Sequence, residues 1–151
     1  MVKKMIWIIG KILQEIYNLN NRFICRYILH SFSKTGTNCH LEGPGHFSSD
    51  KILIGSNVFI GANAYWISSE ANIYIGNNVM FGPNVMISTG NHRYDVIGKY
   101  MIDVKEKRDK DDEDVVIEDD VWIGMGAIIL KGVTVRKRFD NWSRNSCYTF
   151  N

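Results

Sequence analysis

Proline is scarce: 2 residues in a chain of 151 that carries 13 glycines. That excludes a proline-rich linker or a low-complexity chain. Cysteine is scarce too, with 3 residues, no CxxC pair and no disulfide framework. The expectation is a reducing compartment, the cytoplasm, extending to the inner face of a membrane. An excess of one charge is also missing. The 18 Lys plus Arg against 16 Asp plus Glu leave +2, without the basic stripe of a nucleic-acid binder. No run reaches the roughly 18 uninterrupted apolar residues of a membrane span. Met5-Ile6-Trp7-Ile8-Ile9 falls short of the about 7–15 apolar residues of a signal peptide and has no clear cleavage site. What is present is 45% hydrophobic and 12% aromatic content. That is enough for the core of one domain of about 100–150 residues.

The chain divides into three zones. In residues 1–34, Ile6, Ile9, Leu13, Ile16 and Tyr17 fall at helical spacing, as do Phe23, Tyr27, Ile28 and Leu29. Asn18 to Asn21 read as a break between two short helices. Lys3, Lys4, Lys11, Arg22 and Arg26 stand against Glu15 alone. Two readings stand: helices capping the core of the main domain, or a basic amphipathic element in peripheral contact with an anionic membrane.

In residues 35–135 the period changes to six. Ile54-Gly55-Ser56-Asn57-Val58-Phe59 is followed by Ile60-Gly61-Ala62-Asn63-Ala64-Tyr65. Hexads restart at Ile75 and Phe81, and again at Ile117, Ile123 and Ile129. The first position is large and apolar, the second is usually Gly, and the fifth is always Val or Ala. Such a repeat predicts a solenoid in which each hexad supplies one strand and one corner, and three hexads close a triangular coil. The large first side chain fills the interior, the small fifth fits near a crowded corner, and Gly and Asn tolerate left-handed backbone at the corners. A charged interruption, about 91–114, reads as a solvated loop extruded between coils.

These hexads resemble the left-handed parallel β-helix acyltransferases. Within that superfamily, the stretch from about Ile52 to Val135 resembles the sugar O-acetyltransferases, both the maltose and galactoside enzymes and those of surface-polysaccharide synthesis. The order of three motifs carries the likeness: Phe81-Gly82-Pro83-Asn84-Val85, then Ser88-Thr89-Gly90-Asn91-His92, then, after the loop, Asp120-Val121-Trp122-Ile123-Gly124. The fold class expected is all-β, a left-handed parallel β-helix with a short helical N-terminal segment.

The resemblance implies acetyl-CoA as co-substrate, a sugar or glycan acceptor, no metal, and a homotrimer with donor and acceptor meeting between neighbouring prisms. Acyl transfer from a thioester to a hydroxyl needs a base, and imidazole titrates in the right range. The family places such a His where His92 stands. Asp95 is the nearest carboxylate to orient it. The oxyanion donor is a backbone amide of the Gly90-Asn91 turn or of the adjacent coil. Asn84 is a substrate-binding candidate or a corner residue. Trp122 lies beside the acceptor or pantetheine channel, or is an aromatic in a subunit contact. Coenzyme A runs past Gly124, Met125 and Gly126, where small residues let it approach the backbone. A β-helix carbonic anhydrase needs three His ligands, and the repeat zone offers His92 alone beside the loop. The regular Thr arrays of an ice-binding β-helix are missing.

The hexads stop at Val135, and residues 136–151 are out of pattern. Back-translated with permitted codons and read one base on, this tail gives GKGSIIGAGTVVTHS, which continues the repeat in phase. A one-base insertion near codon 136 is therefore expected, removing the last coil and the segment that closes over coenzyme A in the family. Acetyl-CoA-dependent O-acetylation of a sugar hydroxyl is the first functional expectation. A truncated inactive product or a non-catalytic β-helix assembly protein is the alternative, and a xenobiotic acetyltransferase is the rival among enzymes.

Overall fold

The computed structural model describes residues 2–137. The tail from residue 138 onward, with the expected frame slip, lies outside the described residues. Among the described residues one long helix, α1 (Val2–Ser31), leads into thirteen short strands. Each full coil contributes three strands. The first coil is β1 (Lys34–Thr35), β2 (His40–Leu41) and β3 (His46–Phe47). The second is β4 (Ile52–Ile54), β5 (Phe59–Ile60) and β6 (Tyr65–Ile67), and the third is β7 (Ile73–Ile75), β8 (Met80–Phe81) and β9 (Met86–Ser88). After the extruded loop comes the fourth, β10 (Val115–Ile117), β11 (Trp122–Ile123) and β12 (Ile128–Ile129), and β13 (Thr134–Val135) opens a fifth.

Every ladder is parallel, and the strands stack into three sheets. The first sheet runs β1-β4-β7-β10-β13, the second β11-β8-β5-β2, the third β12-β9-β6-β3. This is a triangular parallel β-helix. The hexad phase explains its interior: Ile54, Ile60, Ile75, Phe81, Ile117, Ile123 and Ile129 are buried, and so are Val58, Ala64, Val79, Val85 and Val121 from the fifth position. Corners repeat as well. Asn38, Asn57, Asn78 and Asp120 take φ between 55° and 60° at one corner, and Asn63 (58°), Asn84 (59°) and Gly126 (72°) do so at the next. Asn and Asp adopt this left-handed region more readily than other side chains.

Glycine at the second hexad position answers to close approach of stacked backbones. A Cβ on Gly82 would sit 2.6 Å from Met125 N and 2.9 Å from its Cα. Backbone cannot yield as a side-chain tip does. Gly82→Ala is expected to cost about 1–3 kcal/mol, measured as a lower denaturant midpoint. An unchanged midpoint would show that the coils are not seated at this spacing.

Two features depart from the sequence-based expectation. No break occurs at Asn18–Asn21: α1 is continuous through them. Helix propensity is a weak prior, and Asn18 and Asn21 are partly covered on the stripe that continues into Cys25, Ile28 and Leu29. The second departure is the first coil, Lys34–Phe47, which has no clear Ile-Gly hexads yet pairs in register with the coil above it. Here Leu41 takes the buried position, and Phe32 from the end of α1 closes the coil, its ring 5.3 Å from that of Phe47.

Candidate active site

The site motif Ser88-Thr89-Gly90-Asn91-His92 leaves the end of β9, where the chain exits the third sheet toward the first. Thr89 is buried. Its hydroxyl accepts from Ser69 N (3.0 Å) and donates to Ala71 O (3.3 Å). The two ends of the loop then zip together as a neck. Asn91 N donates to Asp111 O (3.0 Å) and Glu113 N to Thr89 O (2.9 Å), and Gly90 bridges Asp112 antiparallel. A Cβ at Gly90 would collide with the Asp112 carboxylate. His92 is the first residue beyond this clamp, and its side chain is exposed. The backbone that carries the imidazole is fixed while the ring faces outward.

Asp95 is not disposed as expected. Its carboxylate accepts from Arg108 and, at 3.3 Å, from Arg93 Nε, and no described hydrogen bond joins it to His92. Desolvation raises its pKa, but the bonds from Arg108 and Arg93 outweigh that and hold it below the ordinary carboxylate value. Asp95 is thus committed to tying the loop to its own stem. The amide of Asn91 is likewise committed, to Asp111 O, and is not a free oxyanion donor.

The stem involves residues that composition and spacing did not single out. Arg108 spans both loop ends, donating from Nη2 to Asp111 Oδ1 at 2.8 Å while also holding Asp95. Lys107 Nζ lies 2.7 Å from Asp112 and 2.6 Å from Ser69 Oγ. Lys131 of the fourth coil reaches Glu113. The alternating charges of 105–114 were the available signal, and they read as a solvated loop because pairing across the neck depends on the fold.

Hydrogen bonds from the Arg108 side chain and backbone hold the Asp111 carboxyl at about 2. Its stabilising effect is complete above the ordinary value of 3.8 and is lost as pH falls through about 2. The carboxyl carbon of Asp111 is therefore expected to titrate by NMR with a midpoint near pH 2. A midpoint at the ordinary carboxylate value would mean that the Arg108 link does not form.

The other candidates lie elsewhere on the prism. Trp122 stands on β11 in the second sheet, 55% exposed and paired with Met80. Gly124, Met125 and Gly126 form the corner between the second and third sheets. There Gly126 N donates to Pro83 O (3.0 Å), directly above the Asn84 corner. The left-handed φ of Asn84 and its donation to Ala62 O (2.9 Å) give it a corner role. A Cβ on Gly126 would meet nothing within 4 Å, so the backbone is open at that residue, whereas Gly124 is buried. His92 sits at the far side of the third sheet from this corner. Along one prism, the Gly124–Gly126 corner precedes the third sheet and His92 follows it, at the other edge. Among the described residues, no group of three His, Cys, Asp or Glu is placed to hold a metal ion.

A family profile described as the hexapeptide repeat of succinyl-transferase matches residues 51–69 and 114–138. The galactoside O-acetyltransferase of Lactococcus lactis is 32% identical over 108 residues, 70% of this chain and 49% of that protein. The galactoside O-acetyltransferase of Escherichia coli is 30% identical over 113 residues, 72% of this chain and 50% of that one. The chain thus spans about half the length of these curated relatives. Among solved structures, a hexapeptide-repeat containing acetyltransferase from Vibrio cholerae superposes with a TM-score of 0.58 at 31% identity, covering 71% of this chain and 57% of that one. A maltose O-acetyltransferase from Clostridium difficile gives 0.54 at 32% identity, covering 71% and 54%. The coils of this chain are a left-handed parallel β-helix of hexapeptide repeats, similar to those of the O-acetyltransferases.

Proposed function

We propose that the protein transfers an acetyl group from acetyl-CoA to a sugar hydroxyl, in a surface glycan or its precursor, with His92 as general base. The observation that carries this reading is the clamped neck, which presents an exposed imidazole from a rigid turn. The likeness to two galactoside O-acetyltransferases and a maltose O-acetyltransferase supports the substrate class. In the reaction the acceptor hydroxyl oxygen attacks the thioester carbonyl as His92 takes its proton. The tetrahedral intermediate collapses, the C–S bond breaks, and the imidazolium returns the proton to the departing thiolate. No covalent acyl-enzyme is needed.

The two-corner geometry supports a trimer. With coenzyme A along the Gly124–Gly126 edge of one copy and His92 supplied by another, both meet in the groove between prisms. A three-fold ring closes by joining two different patches of each copy. The faces on either side of the edge carry exposed apolar side chains, Met80 and Trp122 on one, Tyr65, Met86 and Ile128 on the other, as a subunit contact requires. Asp95 and Asn84 belong in this reading to the scaffold, as loop tie and corner. The Asn91 side chain is left to meet the acceptor.

Incubation with acetyl-CoA and a galactoside is expected to give an O-acetyl ester that mild base removes. An amide formed only on amino-bearing drugs would overturn the sugar reading in favour of a xenobiotic acetyltransferase. Mixing His92→Ala chains with Trp122→Ala chains is expected to restore part of the lost activity, because some grooves would then combine two intact halves. Mixtures no more active than the separate variants would contradict a shared site.

A further inference from the structure

The apolar face of α1 turns away from the described β-helix. At about 100° per residue, Met5, Ile9, Ile12, Ile16 and Phe23 fall on one face, and all are exposed among the described residues. The stripe that meets the first coil is a different one, with Cys25 buried and Ile28 and Leu29 partly buried against the core. Asn18 and Asn21 extend it and are partly covered. The two stripes lie roughly opposite each other on the helix. The β-helix therefore docks on the polar side of α1, and its fold leaves the apolar side uncovered. Helix capping of the core, one of the two expectations for this zone, holds only for the last turns.

We infer that α1 is an interfacial anchor that lays its Met5–Phe23 face into an anionic lipid surface, with the β-helix on the far side. Charge selects this occupant. Lys3, Lys4, Lys11 and Arg22 lie among the polar residues with Glu15 as the single acid in the helix. Cations flanking an apolar face complement anionic headgroups, and their long stems let the charge reach water. Bundling of α1 with copies of itself fits less well. The apolar arc also takes in Ile6, Leu13 and Tyr17, wider than a two-position coiled-coil seam. Parallel copies would also stack like charges with few acids to offset them. A helix that lies on the surface, rather than crossing it, agrees with the finding that no helix among the described residues is long and apolar enough to span a membrane.

The full chain should be spun with vesicles of phosphatidylcholine alone and with vesicles containing phosphatidylglycerol. Anionic lipid is expected to raise the bound fraction about ten-fold or more, and added salt to reverse it. Ile9→Glu combined with Ile16→Glu should abolish sedimentation with vesicles while circular dichroism and molar mass stay unchanged. Lys4→Gln with Lys11→Gln should weaken binding to anionic vesicles only. Equal, low binding to both vesicle types would overturn the inference, as would vesicle binding that survives the Ile→Glu pair. So would a fall in molar mass of the Ile→Glu pair when the parent chain ignores vesicles, which would assign the face to contacts between copies. Vesicle binding needs no turnover, so failure here leaves the transfer reading standing, and the reverse also holds.

Discussion

Replacing His92 with Ala is expected to lower kcat for acetyl transfer by about 10²–10⁴-fold, the usual contribution of a positioned general base. The position makes this a clean test. The His92 side chain is exposed and has no described hydrogen bond. Stability should therefore change by no more than about 0.5 kcal/mol. The neck that carries the residue is built from Thr89, Gly90, Asn91 and the facing Asp111–Glu113 segment, none of which the substitution touches. A steady-state comparison of kcat and KM, with a melt of both proteins, checks it. Loss of activity at unchanged midpoint supports the base role. Equal rates would remove it.

The largest effect on stability is expected at Trp66. Its side chain has no exposed surface, its ring lies 4.8 Å from Phe81 and 5.4 Å from Phe47, and Phe47 continues to Phe32. This aromatic column ties the end of α1 and the first three coils together along the prism axis. Trp66→Ala would empty it at the centre, at a cost of about 3–5 kcal/mol. In a solenoid, each coil is held by its neighbours, so a loss between two coils weakens both interfaces. Among the described residues the indole Nε1 is buried without a partner. Trp66→Phe would remove that unpaired donor along with some volume, and should cost distinctly less than Ala. Denaturant midpoints of the two variants give the ranking. A cost below about 1 kcal/mol for Ala would mean that the column is not packed.

The β-helix was legible in the sequence because its determinants are local and repeat. A large first residue, a small fifth residue and an Asn, Asp or Gly at the corner reappear from Ile54 to Val133, and each repetition confirms the same phase. The first coil was not legible, since Thr35, Leu41 and Phe47 keep the inward positions without the Ile-Gly signature. Its place is fixed by pairing with the coil above, at a separation of 19 residues between partners such as Lys34 and Leu53. The unbroken α1 was missed for a related reason: a run of Asn disfavours helix locally, and partial burial of Asn18 and Asn21 is invisible until the helix is docked. At the site, motif order pointed to His92, and the structure adds the clamp behind it. Asp95 was nearest in sequence, but nearness in sequence says nothing about which cation a carboxylate meets. Arg108, thirteen residues on, claims it. That His92 and the Gly124–Gly126 edge occupy different corners depends on the direction of winding and the order of sheets, which no single hexad records.

Release of free thiol from acetyl-CoA measures the proposed acyl transfer to a sugar hydroxyl most directly. With galactosides and maltose as acceptors, thiol should appear only when acceptor is present, mole for mole with acetyl sugar. Thiol released at the same rate without acceptor, or none with any sugar while the protein is folded, would contradict the account.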